Sequence, residues 1–210
     1  AQLMRKVLAK TFEASSGSKV TLANGSAVLI QPNSIRLADG VTPYTGKVNV
    51  YMAWLNPAEY SVLYQMPGEL RGIAEDGSEK SMQTFGMLNV QLESEDNQKL
   101  QLDNSKPATL NFPIPASLSA SAPVNVPMWY YNELTGRWVE EGMAQRNGSS
   151  YQTQVKHFTY WNVDWKYEEP LIQYCVVVVD ENDKPYANSH ILIHRANDNW
   201  APTVTPIRRD

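Results

Sequence analysis

The sequence predicts an all-β fold, built as antiparallel β-sandwich modules in tandem. Apolar and polar residues alternate with a period of two through most of the chain, as they do in strands with one buried face. Turn residues interrupt this alternation at intervals of roughly 8–12 residues, the spacing typical of sandwiches. The 13 prolines and 11 glycines are scattered as turn markers, and no segment of about eleven residues carries the apolar pattern of a surface helix.

The first predicted strands form a hairpin around Asn24-Gly25. Segments 19–22 and 27–30 flank this dipeptide, which suits a tight turn because both residues tolerate a positive φ. The next strand covers 47–54 and has one apolar face, formed by Val48, Val50, Met52 and Trp54.

The rest of the chain to residue 163 continues as strands separated by turns. Segments 87–92 and 99–102 bracket a polar turn, Glu93 to Gln98. The strand 108–112 is stopped by Pro113, which cannot donate to a central ladder. The last strands are predicted at 126–131, 137–140, 151–155 and 158–163, with a hairpin turn at Leu134-Thr135-Gly136.

A domain boundary is predicted near residue 165, where the polar segment 166–170 interrupts the strand pattern. An apolar strand at 171–179, a turn at 180–185 and a strand at 191–194 follow. Since two strands in about forty residues cannot bury a core alone, 166–210 is expected to begin a further sandwich.

We expect the chain to be a piece of a longer protein, because it has no initiator methionine and closes with Thr205-Pro206-Ile207-Arg208-Arg209-Asp210, where no element is being finished. Residues 1–10 would then end a preceding domain or form a linker. Residues 11–105 are expected to form a first β-sandwich, and 106–165 a second β subdomain packed on it.

Composition excludes several classes of function. The net charge of −4 argues against nucleic acid and anionic membranes as partners. No apolar run reaches the roughly 18 residues of a membrane-spanning helix. The single cysteine, Cys175, cannot form an internal disulfide and is expected to be a buried, inert strand residue. With 3 histidines besides, little material for a zinc site is present, and no cofactor is expected.

A set of short strings then occurs in a fixed order: Tyr44-Thr45-Gly46-Lys47-Val48, Met66-Pro67-Gly68-Glu69-Leu70, Phe85-Gly86-Met87-Leu88-Asn89-Val90, Phe112-Pro113-Ile114-Pro115, Trp129-Tyr130-Tyr131-Asn132-Glu133 with Gly136-Arg137-Trp138-Val139-Glu140-Glu141-Gly142, and His157-Phe158-Thr159-Tyr160-Trp161-Asn162. This succession resembles the β-rich ectodomain shared by cartilage intermediate layer proteins and many surface lipoproteins of Bacteroidota-type bacteria. Its two halves are distantly similar to paired ZU5 and UPA domains. The start of the last segment, from Val176, is similar to a carboxypeptidase regulatory-like domain, a small Ig-like or transthyretin-like sandwich, with Asp183 where a glycine is usual.

The resemblance implies a non-catalytic module of a larger bacterial surface lipoprotein, on the extracellular face of the outer membrane. The bacterial form fits better than the animal one, because a cartilage-matrix module would be expected to carry disulfides. Such a module acts as a structural scaffold or as an adhesion or partner-binding domain. Its expected partners are other domains of the same chain and a protein or glycan at the cell surface.

The sharpest chemical alternative is self-cleavage at His157-Phe158-Thr159. A histidine two residues before a hydroxyl can act as base, and the hydroxyl of Thr159 would attack the carbonyl of Phe158. Some UPA-type proteins cleave at a similar site, so the resemblance supports the idea. The alternative is an ordinary strand, in which Phe158 packs and its neighbours form hydrogen bonds, and this interpretation is favoured because the chemistry also needs a strained peptide and an oxyanion donor.

A calcium site is the second alternative, at Asp180, Asn182 and Asp183. Calcium prefers several carboxylate and carbonyl oxygens, as in linkers between extracellular domains. The preferred interpretation is a polar turn between two strands, since Asn and Asp bond their own backbone. Four other carboxylates lie near strand ends: Glu93, Glu95, Asp96 and Asp103. They form no evident pair of the kind that a glycosidase needs.

Aromatic residues give the third alternative, a carbohydrate-binding module. The chain has 6 tryptophans, 11 tyrosines and 4 phenylalanines, and its second half holds many of them. On an alternating strand Trp129 and Tyr131 face one way and Tyr130 the other. Exposed rings at Trp129, Tyr131 or Trp138 would stack on sugars or anchor a protein partner. The commoner fate of such rings is to fill the core, and both interpretations stay open at this point.

Overall fold

The computed structural model describes residues 5–168 and 177–186. Within them, 13 strands belong to one sheet, which confirms the predicted all-β class. The strands are β1 (Leu8–Glu13), β2 (Ser18–Thr21), β3 (Ala27–Ile30), β4 (Ile35–Leu37), β5 (Lys47–Leu55), β6 (Arg71–Ile73), β7 (Glu79–Ser94), β8 (Lys99–Leu102), β9 (Ala108–Pro113), β10 (Asn125–Asn132), β11 (Arg137–Asn147), β12 (Ser150–Val155) and β13 (Tyr160–Lys166). A short helix α1 (Val62–Gln65) and a 3₁₀ turn (Ala116–Leu118) complete the named elements.

The sheet follows one main path and folds over on itself. Hydrogen-bonded neighbours run in the order β1-β5-β7-β13-β10-β11-β12-β9-β3-β2, while β4, β6 and β8 pair beside this path. Phe12 of β1 and Val20 of β2 come from opposite ends of the path, yet both belong to the same buried cluster. The two ends of the sheet therefore enclose a common core, as in a sandwich.

The main core follows from the alternation in the sequence. In β5 the predicted face is confirmed for Val48, Val50 and Met52, which are all buried, and Trp54 packs against the same core. The predicted hairpin at Asn24-Gly25 is confirmed by the antiparallel pairing of β2 with β3. Gly25 supplies its positive φ, +90°.

A second, smaller core lies on the outer face of β7, β10 and β11, beneath segment 56–74. Val62 of α1, Met66 and Leu70 from this segment bury themselves against Trp129 and Trp138. A helix of four residues is not stable by itself, so packing on the two indole rings holds this segment in place. The sheet is thus covered on both faces along these strands.

One irregularity in β7 keeps both cores filled. Thr84 pairs with Asp164 and Met87 with Asn162, so Phe85 and Gly86 both lie opposite Val163 in a β-bulge. The extra residue shifts the side-chain phase, which lets Phe85 and Leu88 face the same core although they are three positions apart.

The strand prediction was wrong at three strand ends, two of β7 and one of β13. β7 begins at Glu79 rather than at 87, and it continues through Glu93, which was predicted to lie in an exposed turn. Glu93 is only 8% exposed because it pairs between two strands, opposite Asn49 of β5 and Lys99 of β8. β13 begins at Tyr160 rather than 158 because 157–159 forms a bend.

Some predictions concern parts of the chain that the structure leaves undescribed or untested. The strand at 191–194, most of the one at 171–179 and Cys175 lie outside the described residues. The domain boundaries at 10, 105 and 165 stay predictions; β1 crosses the first of them and pairs with β5. No helix among the described residues is long and apolar enough to cross a membrane.

Candidate functional site

The sheet splits beside β7, because two strands share one of its edges. Met87 pairs with both β5 and β13, and Glu93 pairs with both β5 and β8, so β13 and β8 occupy the same edge opposite β5. The ladder with β13 ends at Asn89 and that with β8 begins at Leu92. We call the gap between β8 and β13, beside Val90 and Gln91, the fork.

The side chain of Gln101 bridges the fork. Its Nε2 donates to the carbonyl of Phe158 and its Oε1 accepts from the N–H of Phe158, both at 3.0 Å. One amide group thus replaces a rung of the missing ladder, since it satisfies both main-chain groups of a single residue. Phe158 itself is buried in the main core, so the bridge fixes the loop that carries the predicted cleavage motif.

Removing this bridge is expected to cost stability. Gln101→Ala leaves two partly buried main-chain groups without their partner, and we expect the free energy of unfolding to fall by about 2 kcal/mol. Gln101→Glu keeps an acceptor for the N–H of Phe158, and its protonated carboxyl also keeps a donor for the carbonyl. This donor is lost when the carboxyl ionises, so the free energy of unfolding of this variant is expected to fall as pH rises. Urea unfolding of both variants measures this. A Gln101→Ala midpoint equal to that of the wild type would show that the loop is held by other contacts.

The motif His157-Phe158-Thr159 is occupied by structural contacts. The hydroxyl of Thr159 donates to the main-chain carbonyl of Tyr131 at 2.9 Å. The ring of His157 lies between Tyr130 and Trp161, with ring centroids 5.0 Å away in each case. Its Nε2 is 3.5 Å from Glu141 Oε2. These contacts tie the loop to β10 and β13, while Gln101 Nε2 is a donor of the kind that an oxyanion at the Phe158 carbonyl would need.

The predicted aromatic surface needs a correction. Trp129 and Trp138 are 0% exposed, because segment 56–74 covers them, and neither ring can stack on a ligand. Their N–H groups donate within the protein, to the carbonyls of Asp164 and Pro67, both at 3.1 Å. Of the three predicted binding residues, Tyr131 alone is partly exposed. The prediction that Tyr130 and Tyr131 point to opposite faces of the sheet is confirmed. Tyr131 packs beside the second core and Tyr130 beside the main core.

An open groove of about 380 Å³ lies at the fork, within the size range of small-ligand sites. Tyr131 and the whole motif 157–159 line it, together with polar residues of β7 and β8 that sequence reasoning missed. These polar residues are Asn89, Gln91, Glu93, Lys99 and Gln101. They follow from strand pairings between distant segments, so no local sequence signal could have grouped them.

The predicted calcium residues lie in 177–186, in a polar turn. Asp180 Oδ1 accepts from the N–H groups of Asn182 at 2.8 Å and Lys184 at 3.0 Å. Asp183 has φ +60°, the left-handed conformation that favours glycine. Within the described ranges no cluster of three or more His, Cys, Asp or Glu residues could hold a metal ion.

A buried polar network joins β7 to β13. Thr84 donates to Asn162 Oδ1 at 2.7 Å, and Asn162 Nδ2 donates to Asp164 Oδ2. Asp164 is 0% exposed, and this burial raises the pKa of its carboxyl well above the ordinary value of 3.8.

This raised pKa predicts a pH dependence of stability. Above pH 3.8 the unfolded state releases the Asp164 proton while the folded state keeps it, so the free energy of unfolding falls as pH rises toward the folded pKa. Relative to Asp164→Asn, which cannot titrate, we expect the wild type to lose up to about 1.4 kcal/mol per pH unit in that window. Urea unfolding of both proteins from pH 3 to 7 measures the difference. Parallel curves would contradict it.

The chain is an all-β module that is distantly similar to cartilage intermediate layer proteins. It is 28% identical over 131 residues to cartilage intermediate layer protein 2 of Homo sapiens, covering 59% of this chain and 10% of that protein. It is 32% identical over 104 residues to cartilage intermediate layer protein 1 of Sus scrofa, covering 48% of this chain and 16% of that one. No family model and no solved structure matches the chain.

The similarity confirms one part of the resemblance found in the sequence, namely the part that concerns cartilage intermediate layer proteins. The chain spans about a tenth to a sixth of the length of these curated relatives. The likeness to bacterial surface lipoproteins, to ZU5 and UPA domains and to carboxypeptidase regulatory-like domains stays a prediction.

Proposed function

We propose that this chain is a non-catalytic extracellular module of a larger cell-surface protein, which acts as a scaffold and binds a partner. The finer form of the proposal places it in a bacterial surface lipoprotein, on the outer face of the outer membrane. Its partners are neighbouring domains of the same chain and a molecule presented at the cell surface.

One observation carries the non-catalytic part. The hydroxyl that self-cleavage would use serves the fold instead: Thr159 Oγ1 donates to the main-chain carbonyl of Tyr131 at 2.9 Å. A nucleophile whose proton is directed at another carbonyl is not poised to attack the Phe158 carbonyl.

Two further observations support a scaffold outside the cell. The sheet is packed on both faces by separate cores, which gives a rigid body suited to hold neighbouring domains apart. The relatives are named for the intermediate layer of cartilage, which is a matrix, so their similarity supports an extracellular setting. The single cysteine favours the bacterial form over a disulfide-bonded matrix module.

The location is tested on the full-length protein in its native cells. An antibody raised against residues 5–168 is applied to intact and to permeabilised cells, beside an antibody against a cytoplasmic protein. We expect equal labelling of intact and permeabilised cells by the first antibody. Labelling that requires permeabilisation would place the module inside the cell and overturn the proposal.

A further inference from the structure

The turn between β11 and β12 contains one of the two Asn-Gly pairs in the sequence, Asn147-Gly148, and the other is Asn24-Gly25. An asparagine side chain can react with the main-chain nitrogen of the next residue, and glycine hinders this approach least because it has no Cβ. Both pairs are exposed, and an added Cβ on either glycine would have no neighbour within 4 Å. Space around the turn therefore does not distinguish the two pairs.

Hydrogen bonds hold the pair at 24–25 in place. The N–H of Gly25 donates to the carbonyl of Leu22 at 2.9 Å. Asn24 Oδ1 accepts from the N–H of Ser26 at 3.0 Å. The carbonyl of Gly25 accepts from Asn111 Nδ2, also at 3.0 Å. The nitrogen that would attack and the side chain that it would attack are thus both engaged in the folded protein.

The pair at 147–148 lacks these restraints on its reacting groups. Gly148 has φ +61°, and its N–H has no hydrogen-bond partner among the described residues. Asn147 is exposed, and its Nδ2 lies 3.5 Å from Gln152 Oε1, which is a weak hydrogen bond at most. The attacking nitrogen is therefore available without the loss of a bond.

We propose that Asn147 is a site of spontaneous deamidation, in which its side-chain amide reacts with the Gly148 nitrogen and then with water. The Gly148 nitrogen loses its proton to hydroxide and bonds to Asn147 Cγ. The Cγ–Nδ2 bond breaks, the leaving nitrogen takes up a proton from water to become ammonia, and a five-membered succinimide ring remains. Water then opens the ring at either carbonyl and leaves aspartate or isoaspartate at 147. Because water is the only reactant supplied from outside, the inference does not depend on the proposed function.

The isoaspartate product would disturb the end of the hairpin, because it adds one carbon atom to the main chain between 147 and 148. Arg146 Nε donates to the Gly148 carbonyl at 3.1 Å. The N–H of Ile114 donates to the Ser149 carbonyl at 2.8 Å. Both carbonyls follow the added atom and would shift relative to their donors. We therefore expect isoaspartate to loosen the contact between this turn and the end of β9.

The test incubates the full, folded 210-residue chain at mildly alkaline pH and follows both pairs by tryptic peptide mapping with mass spectrometry. Trypsin cuts after lysine and arginine, so the pairs fall in separate peptides, 20–36 and 147–156. Each deamidation adds about 1 Da. We expect Asn147 to react about tenfold faster than Asn24, the factor that corresponds to one hydrogen bond that must first break. An unincubated sample corrects for reaction during digestion.

Two controls separate the effect of the fold from that of the sequence. In guanidinium the unfolded chain has none of these hydrogen bonds, so Asn24 and Asn147 are expected to react at similar rates. Asn147→Gln keeps an exposed amide but would have to form a larger ring, and it is expected to remove the change from peptide 147–156 while Asn24 reacts as before. Equal rates at Asn24 and Asn147 in the folded chain would overturn the inference. Reaction of Asn147 only in the unfolded chain would overturn it as well.

Hydrogen exchange tests the effect on the hairpin. Asn147→Asp has the negative charge of the product without the added main-chain atom. We expect the Ile114 N–H to exchange faster in the isoaspartate form than in Asn147→Asp. Equal exchange would show that the turn accommodates the added atom and would contradict the predicted loosening.

Discussion

Replacing Gly86 with alanine is expected to lower the free energy of unfolding by about 3 kcal/mol. Gly86 lies in the bulge of β7 with φ +146°, and an added Cβ would overlap the indole ring of Trp54. Trp54 cannot move freely, because it packs against the main core and its ring meets Phe112 edge-on at 6.4 Å. Backbone strain and steric overlap therefore act together at this position.

Gly77→Ala separates the two causes. Gly77 also has a positive φ, +81°, but an added Cβ would have no neighbour within 4 Å. We expect this control to lose only about 1 kcal/mol, the cost of the backbone conformation alone. Urea unfolding of the two variants gives the comparison. Equal losses would mean that Trp54 yields without cost and that the bulge does not depend on a missing side chain.

Replacing Trp129 with alanine is expected to have an effect at least as large, about 4 kcal/mol. The ring is 0% exposed in the second core, and its N–H donates to the Asp164 carbonyl at 3.1 Å. A Cβ on Gly72 would lie 2.7 Å from the same ring, which shows how closely β6 packs on it. The variant loses apolar burial and a hydrogen bond and leaves a cavity under segment 56–74.

Trp165→Ala is the matched control, because that ring is 43% exposed. We expect Trp165→Ala to lower the free energy of unfolding by less than about 1 kcal/mol, and urea unfolding of both variants measures the difference. A Trp129→Ala protein as stable as Trp165→Ala would contradict the second core. The comparison also matters for function, since a ligand-binding loss in Trp129→Ala would report unfolding rather than a contact with the ligand.

The sequence predicts those parts of the fold that depend on local alternation. The hairpin at Asn24-Gly25 and the buried face of β5 follow from a period of two and a turn dipeptide, and both are present. The bulge at Gly86 leaves a trace as well, because apolar residues at 85, 87 and 88 break the alternation. A phase change beside a glycine is the signal that could have located it.

The candidate site could be predicted only in part. Alternation shows that Trp129 and Tyr131 share a face, but it cannot show that segment 56–74 covers most of that face, since the segment has no period of its own. The fork depends on which strands share an edge of β7, a choice made between distant parts of the chain. Gln101 looks like an ordinary outward residue between Leu100 and Leu102 until its partner, Phe158, is known.

The chemical role of the motif 157–159 could not be predicted from the sequence either. A histidine, a phenylalanine and a threonine in order are compatible with cleavage and with a structural loop. The Thr159 hydroxyl donates to the carbonyl of Tyr131 on β10, and this contact favours the structural loop. Orientation of this kind arises from tertiary contacts and is absent from the motif itself.

The most direct test of the central claim, that this module is non-catalytic, is the intact mass of the purified chain under denaturing conditions after prolonged incubation. Thr159→Ala serves as the control, because it removes the hydroxyl that cleavage would require. We expect a single species of 23.6 kDa for the wild type and a single uncleaved species for the variant. Two fragments that join at Phe158 and Thr159, present in the wild type and absent from the variant, would contradict the claim and make this a self-processing domain.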